Sequence, residues 1–87
     1  MAYRIEFRPA ALWKLRRIPR PFKGRLMTAI SALADDPRPP GCVRLAGPEG
    51  FHRVRVGDYR IVYLIQDRVL VICVVRIGHR KDVYRGL

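Results

Sequence analysis

Residues 51–63 read FHRVRVGDYRIVY, and this stretch predicts a β-hairpin. Valine alternates with arginine before Gly57 and Asp58, and mainly aliphatic and aromatic residues follow, as is typical of strands with one buried face. Glycine at the first position of a two-residue turn supplies the positive φ that a type II′ turn requires. The turn then fixes the register, with Val56 paired with Tyr59 and the other residues paired outward from them.

This register places three arginines on one face of the hairpin. Arg55 lies opposite Arg60, and Arg53 shares their face because side chains alternate along a strand. Val54 and Ile61 take the other face. Like charges directly opposite one another destabilise a sheet, so a bound anion between the arginines is one explanation of the pattern. An exposed face on which the arginines are only solvated is the other, and both stay open.

Two further strands are predicted outside the hairpin. Residues 69–77 are apolar on both faces, which is typical of a strand inside a sheet, and a turn at residues 66–68 joins them to the hairpin. Residues 3–7 alternate apolar and charged side chains and predict a short, half-buried strand. Alternation also puts His52 on the valine face of the hairpin, where we expect it to be a structural residue.

Prolines delimit two predicted helices between the first strand and the hairpin. Pro9 fits the first turn of a helix whose apolar stripe reaches Ile18, and Pro21 can open a second helix with its stripe in residues 22–33. Two helices joined by a short turn form a helical hairpin. Residues 38–50 hold three prolines and three glycines and predict a loop.

The length and charge of the chain limit its organisation and its partners. Eighty-seven residues suffice for one core, so residues 1–87 are expected to form a single domain. The net charge is +11, and 15 of the 18 basic residues are arginine, which favours bidentate contacts with phosphate. RNA, DNA, an acidic protein or an anionic membrane could each neutralise this charge.

A membrane is the least favoured of these partners, because no apolar run approaches the roughly 20 residues of a spanning helix. The N-terminal residues lack the apolar core of a signal peptide, so we expect a cytoplasmic protein. Cys42 and Cys73 have no metal-ligand spacing, and no His, Asp or Glu cluster has it either. We therefore expect no disulfide framework, no metal site and no cofactor.

Basic and aromatic side chains gather again in residues 76–87, RIGHRKDVYRGL. The cluster consists of His79, Arg80, Lys81, Tyr84 and Arg85. If the strand before it neighbours the hairpin, the end of that strand brings the cluster close to the arginine face. Gly78 is expected to let the chain turn there. A solvated basic terminus is the alternative interpretation.

These motifs resemble the RelE branch of the RelE/ParE superfamily of toxins from toxin–antitoxin modules. The resemblance rests on GDYRIVY at residues 57–63, preceded by RVRV, and on IGHRKDVY at residues 77–84. The opening YRIEFRPAALWKL and the loop DDPRPPGCVRLAG fit the same pattern, so that essentially the whole chain is covered. The HRxDVY ending is the more specific motif, because it marks RelE-like nucleases over the gyrase-poisoning ParE branch.

The resemblance implies an α+β fold, with two N-terminal helices packed on a small, mainly antiparallel four-stranded sheet. It implies an endoribonuclease, or mRNA interferase, that enters the ribosomal A site and cuts messenger RNA there. The partners implied are ribosomal RNA, messenger RNA and a cognate RelB-like antitoxin that blocks the site. We expect the free toxin to be a monomer. Cleavage of this kind uses the ribose 2′-hydroxyl as nucleophile and leaves a cyclic phosphate, without a metal.

The resemblance also assigns roles to three residues. Arg60 matches the family arginine that contacts the scissile phosphate, Arg80 matches the basic residue that stabilises the transition state, and Tyr84 matches the catalytic or base-stacking tyrosine. Arg53 and Arg55 stand where the best-known RelE has lysines. Because arginine stays charged, these two are poor general bases and are assigned to phosphate binding.

Histidine titrates nearest neutrality, so His79 joins Tyr84 as a candidate for proton transfer. The predicted catalytic residues are therefore Arg60, Arg80, Tyr84 and His79. The predicted RNA- and phosphate-binding residues are Arg53, Arg55, Lys81 and Arg85. Two other functions stay open: a ParE-like inhibitor of DNA gyrase that cuts nothing, and a degenerate member that only binds RNA or an antitoxin.

Overall fold

The computed structural model describes residues 2–87, and for Lys81 it describes the backbone alone. These residues form two α-helices, five β-strands and a C-terminal 3₁₀ helix. In chain order the elements are β1 (Arg4–Phe7), α1 (Pro9–Arg17), α2 (Arg20–Leu33), β2 (Val43–Arg44), β3 (His52–Val56), β4 (Tyr59–Gln66), β5 (Val71–His79) and the 3₁₀ helix (Arg80–Tyr84).

Prolines set the ends of the first helix. Pro9 occupies the first turn of α1, where a backbone N–H would have no partner within the helix. The N–H of Arg8 donates to the carbonyl of Val74 at 2.9 Å, which ties the start of α1 to β5. The helix ends at Arg17, and the next residue, Ile18, has extended backbone because Pro19 follows it. None of the helices within residues 2–87 has the length and apolar character needed to cross a bilayer.

The strands form one sheet in the order β1-β5-β4-β3-β2. β1 pairs with β5 in parallel, and the other neighbouring pairs are antiparallel. β5 therefore lies inside the sheet, between β1 and β4, as its apolar sequence predicts. The α+β prediction is confirmed, and the structure adds one strand to the four that were expected.

The additional strand is β2, in the proline- and glycine-rich loop. Val43 pairs with Arg53, and Arg44 pairs with His52. A strand of two residues is too short to show a period-two pattern. Pairing with β3, rather than any pattern of its own, makes this segment a strand.

The register of the β3–β4 hairpin agrees with the prediction. Val56 pairs with Tyr59, and Arg55 pairs with Arg60. Gly57 has a φ of 62°, whereas the φ of Asp58 is not positive. A positive φ at the first turn residue alone is the pattern of a type II′ turn. The hairpin therefore presents its arginines on one face, as the alternation of side chains requires.

Both helices pack on the face opposite the arginines. The core consists of Ala11, Leu15, Ile18, Leu26, Ile30 and Leu33 from the helical hairpin, and of Val54, Tyr59, Ile61, Tyr63, Ile72, Val74 and Ile77 from the sheet. α1 and α2 do not cover the arginine face. Part of that face is nevertheless buried, because Val62, which pairs with Arg53, is 0% exposed.

His52 lies beside this core, as alternation predicts. The centroid of its ring is 5.9 Å from that of Tyr63, and its Nδ1–H donates to the carbonyl of Gly50 at 3.1 Å. Burial lowers the pKa of His52. The hydrogen bond to Gly50 opposes this shift, and the charges of Arg38 and Arg44 add to it. The folded protein therefore favours the neutral imidazole.

We expect the free energy of unfolding to fall as the pH drops below about 6.5, the ordinary pKa of histidine. Because the pKa of His52 is lower in the folded state, the unfolded chain takes up the proton first as the pH falls. The free energy of unfolding therefore decreases between the pKa of the unfolded chain and that of the folded protein. A His52→Gln variant should lack this part of the pH dependence. Urea denaturation of both proteins at about pH 7.5 and pH 5.5 measures it. The same pH dependence in both proteins would contradict the assignment.

Candidate functional site

An open depression of about 630 Å³ lies where the hairpin turn, the end of β5 and the 3₁₀ helix meet. It is lined by Arg55, Arg60, His79, Arg80, Asp82 and Tyr84. All four residues predicted as catalytic lie here, together with one of the predicted phosphate-binding arginines. The depression combines three guanidiniums with an imidazole, a phenol and one carboxylate.

The 3₁₀ helix reaches this position because it folds back onto the sheet. Val83 is 2% exposed, and a Cβ added to Gly78 would lie 3.5 Å from the Cα of Val83. Gly78 lies within β5, paired with Arg60, so the prediction that it makes the turn is wrong. The chain turns at Arg80 instead, which has a φ of 35°. Val83 therefore packs on the sheet beside Gly78, where a Cβ would make only an ordinary van der Waals contact.

Arg80 is tied to the hairpin turn by its main chain and its side chain. Its N–H donates to the carbonyl of Asp58 at 3.0 Å, and its Nη2 lies 3.4 Å from Asp58 Oδ1. L-residues rarely adopt the positive φ of Arg80, so this conformation is strained. The contacts with Asp58 help to offset the strain. Its side chain is 72% exposed, which leaves the guanidinium accessible to a ligand.

Arg55 and Arg60 face one another across the β3–β4 pair. Their pair follows the turn-closing pair and is of the non-hydrogen-bonded kind, in which side chains stand closer. Arg60 Nη1 donates to the carbonyls of Gly57 at 3.3 Å and Tyr59 at 3.2 Å, which orients the side chain over the turn. Among the side chains that the structure describes, no carboxylate pairs with either arginine. Their repulsion therefore favours an anionic ligand.

His79 approaches the depression from the helix side of the sheet. It pairs with Tyr59, and the two rings stack with centroids 4.2 Å apart and an interplanar angle of 22°. Tyr59 belongs to the core beneath the helices, and directly paired residues share a face. The register therefore separates the ring of His79 from the arginine face, although the residue borders the same depression.

The other predicted phosphate-binding residues lie elsewhere. Arg53 lines a separate depression with Val43, and its Nε is buried without a hydrogen-bond partner among the described residues. Arg85 follows the 3₁₀ helix, and its Nη2 lies 3.4 Å from Asp82 Oδ1. The side chain of Lys81 lies outside the part of the chain that the structure describes.

Sequence reasoning did not assign roles to two carboxylates: Asp82, which lines the depression, and Asp58, which pairs with Arg80 beside it. Asp58 accepts from Arg80, and Asp82 accepts from Arg85. The three-residue spacing of Asp82 and Arg85 is a sequence signal for the second pair. No local pattern connects Asp58 with Arg80, because they are 22 residues apart.

The donors around the depression suit an anion. Guanidiniums bind phosphate oxygens through paired N–H groups, and a phenol can donate a further hydrogen bond. Within residues 2–87, no group of three or more His, Cys, Asp or Glu side chains is placed to hold a metal ion. The site can therefore bind a phosphate group and stabilise negative charge on it through its own side chains.

Val83→Ala should release the 3₁₀ helix from the sheet. The buried valine anchors this helix, and truncating it costs about 1–2 kcal/mol of packing. We expect faster amide hydrogen exchange in residues 80–87, with little change in β4 and β5. Val69→Ala is the matched control, because Val69 is 64% exposed. Unchanged exchange in residues 80–87 would show that other contacts hold the helix.

Sequence comparison relates the whole chain to known toxins. Residues 5–84 match the family described as ParE toxin of type II toxin-antitoxin system, parDE. Toxin RelG of Mycobacterium tuberculosis is 30% identical over 92 residues, which cover 98% of this chain and 99% of that protein. A RelE-like toxin protein of Escherichia coli is 28% identical over 88 residues, which cover 97% of this chain and 92% of that protein.

Solved structures show the same fold. The archaeal RelE–RelB complex from Pyrococcus horikoshii OT3 contains a chain with a TM-score of 0.82 and 24% identity, covering 93% of this chain and 98% of that one. The isolated E. coli RelE toxin gives a TM-score of 0.80 at 25% identity, covering 95% of this chain and 92% of that one. The sequence matches, which span nearly the whole chain, show that this protein is a toxin of the RelE/ParE superfamily and belongs to the ParE toxin family of type II toxin–antitoxin systems.

Proposed function

We propose that this toxin is a ribosome-dependent endoribonuclease that cuts messenger RNA in the ribosomal A site and stops translation in the cytoplasm. The observation that carries the proposal is the grouping of Arg55, Arg60, Arg80 and Tyr84 around one open depression. An open site can admit a continuous RNA strand. The net charge of +11 attracts both messenger RNA and ribosomal RNA.

The proposed reaction is an attack of a ribose 2′-hydroxyl on the adjacent phosphorus. The 2′-oxygen loses its proton and bonds to phosphorus, and the bond from phosphorus to the 5′-oxygen breaks. The products are a 2′,3′-cyclic phosphate and a 5′-hydroxyl. Negative charge builds up on the phosphorane oxygens, and fixed cations beside them lower the barrier. Arg55 binds the phosphate in this scheme, and Arg60 and Arg80 stabilise the developing charge.

The two proton transfers need a base and an acid. Arginine stays protonated, so the guanidiniums do not serve as the base. Tyr84 borders the depression beside the arginines, and we assign it to acid–base work or to stacking on a base. His79 is the second candidate, although its ring stacks on Tyr59 on the helix side. The proposed scheme uses neither a metal nor a cofactor.

Further RNA contacts lie beyond the scissile phosphate. Arg53, Lys81 and Arg85 are proposed to contact other phosphates of the RNA. Charge contacts of this kind carry no sequence information, but they position the strand.

We also propose that a RelB-like antitoxin is the cognate partner and that the free toxin is a monomer. The similar RelE toxins of P. horikoshii and E. coli were solved in complexes with RelB. In this chain β1 is the terminal strand of the sheet, so its outer edge can accept an added strand. Acidic segments in the partner would offset the positive charge of the toxin.

Primer extension on a reporter message tests the nuclease directly. The toxin is induced in cells carrying either a translated reporter or the same reporter without its start codon. We expect cuts inside codons of the translated message and none in the untranslated copy, because the ribosome presents the substrate. Cuts in both messages would show that cleavage does not require a translating ribosome.

Intact messages would reject cleavage altogether and separate the two alternatives. Growth arrest with a DNA-damage response would favour inhibition of gyrase, the ParE-like activity. Normal growth would identify a degenerate member that binds RNA or an antitoxin.

A further inference from the structure

A single carboxylate lies among the cations of the depression. Of the described side chains that line it, only Asp82 is acidic. This side chain is 73% exposed, so a bound strand can reach it. Its Oδ1 lies 3.4 Å from Arg85 Nη2, and no described side chain donates to its Oδ2. A carboxylate in a site for polyanions opposes binding, so its presence there calls for a role in the chemistry.

The 3₁₀ helix places Asp82 and Tyr84 on two sides of Val83. Successive residues of a 3₁₀ helix are about 120° apart, because the helix has about three residues per turn. Val83 is buried against the sheet, so the residues before and after it project to opposite sides of the helix. Both of these neighbours line the depression. In-line displacement at phosphorus places the attacking and leaving oxygens opposite one another, and it therefore requires a proton acceptor and a proton donor that are separated.

The chemistry of the lining groups leaves one natural proton acceptor. Arginine has no lone pair to offer, and a phenol keeps its proton near neutral pH and so begins as a donor. The ring of His79 stacks on Tyr59 on the helix side of the sheet. An ionised carboxylate, in contrast, only accepts hydrogen bonds. Asp82 therefore meets the requirement that the arginines and Tyr84 do not meet.

We propose that Asp82 is the general base that takes the proton of the ribose 2′-hydroxyl, with Tyr84 as the general acid. The proposal rests on the nuclease function and assigns the two proton transfers of that same site. The proton passes to Asp82 Oδ2 while the 2′-oxygen bonds to phosphorus. The bond from phosphorus to the 5′-oxygen breaks, and this oxygen takes the proton of Tyr84. Exchange with water then removes the proton from Asp82 and returns one to Tyr84.

Single-turnover cleavage of a short message on purified ribosomes tests the base. One message has the natural 5′-oxygen at the cut site, and the other has sulfur there, which leaves as a thiolate and needs no proton. We expect Asp82→Asn to cut both messages about 10²–10⁴-fold more slowly than the wild type, because the 2′-hydroxyl needs its base in either case. Tyr84→Phe should be slow on the oxygen message alone. Glu6→Gln removes the same charge from an exposed pair with Arg4 on β1, and it should cut as the wild type does.

Two further variants separate the base from the ion pair that Asp82 forms with Arg85. Asp82→Glu keeps a carboxylate on a longer side chain and should regain part of the rate. Arg85→Ala breaks the ion pair but keeps the base, so it should cost much less activity than Asp82→Asn. Equal losses in these two variants would show that Asp82 acts through Arg85, and they would overturn the proposal. Rescue of Asp82→Asn by the sulfur message would also overturn it.

Amide hydrogen exchange distinguishes a chemical role of Asp82 from a structural one. Exchange in residues 80–87 should be the same in Asp82→Asn as in the wild type. Faster exchange there would assign the lost activity to the 3₁₀ helix and overturn the role as base. Undiminished cutting by Asp82→Asn would reject the base and leave the nuclease in place. A wild-type protein that leaves both messages intact would reject the nuclease, and the role of Asp82 with it.

Discussion

Replacing Arg80 by alanine should lower the rate of message cleavage by about 10²–10³-fold, the usual effect of removing one group that stabilises transition-state charge. Arg80 is held at the depression by two contacts with Asp58, and its guanidinium remains 72% exposed. Its ion pair is a surface one, and such pairs contribute about 0–1 kcal/mol to folding. The loss of activity should therefore come without comparable loss of stability.

Two further substitutions separate charge from backbone effects at Arg80. Glycine adopts the observed φ of 35° without strain, so Arg80→Gly removes the guanidinium and relaxes the turn. Lysine retains a positive charge but lacks the planar pair of donors. We expect Arg80→Gly to be as inactive as Arg80→Ala, and Arg80→Lys to retain intermediate activity.

Growth after induction, primer extension and urea denaturation measure these effects together. Arg4→Ala is the matched control, because Arg4 also forms an exposed ion pair, with Glu6 at 2.8 Å, and lies on β1. It should arrest growth as the wild type does. Full toxicity of a folded Arg80→Ala protein would remove this residue from the proposed chemistry.

The hairpin shows how far the sequence predicts this structure. A two-residue turn with glycine first fixes the register, and alternation then assigns each side chain to a face. The opposition of Arg55 and Arg60 follows from these two rules alone. Proline positions and helical spacing similarly predict α1 and α2, because both are local signals.

The remaining features depend on tertiary contacts. β2 exists because β3 pairs with it, and its two residues carry no pattern. The position of the 3₁₀ helix depends on the burial of Val83 against the sheet, and the orientation of His79 depends on its pairing with Tyr59. The contact between Asp58 and Arg80 joins segments 22 residues apart. Local sequence contains no signal for contacts of this kind.

Tyr63 illustrates a further contact that the sequence does not show, and its removal should have the largest effect on stability. Its side chain is fully buried in the core. The hydroxyl donates to the carbonyl of Pro37 at 2.7 Å and lies 3.2 Å from the Sγ of Cys42. Burial raises the pKa of Tyr63, so the hydroxyl remains a donor throughout the usual pH range. One residue thus connects the core with the loop before β2.

Tyr63→Ala should lower the free energy of unfolding by about 3–5 kcal/mol, because it leaves a cavity the size of an aromatic ring. Tyr63→Phe keeps the ring and should cost about 1–2 kcal/mol, because it leaves the Pro37 carbonyl without its donor. Tyr3→Phe is the matched control. Its hydroxyl bonds to Asp67 at 2.6 Å on the exposed surface, so the change should stay within about 0.5 kcal/mol. Urea denaturation measures all three variants. If Tyr63→Phe were as stable as the wild type, solvent would already satisfy the Pro37 carbonyl, and the ring alone would hold the loop to the core.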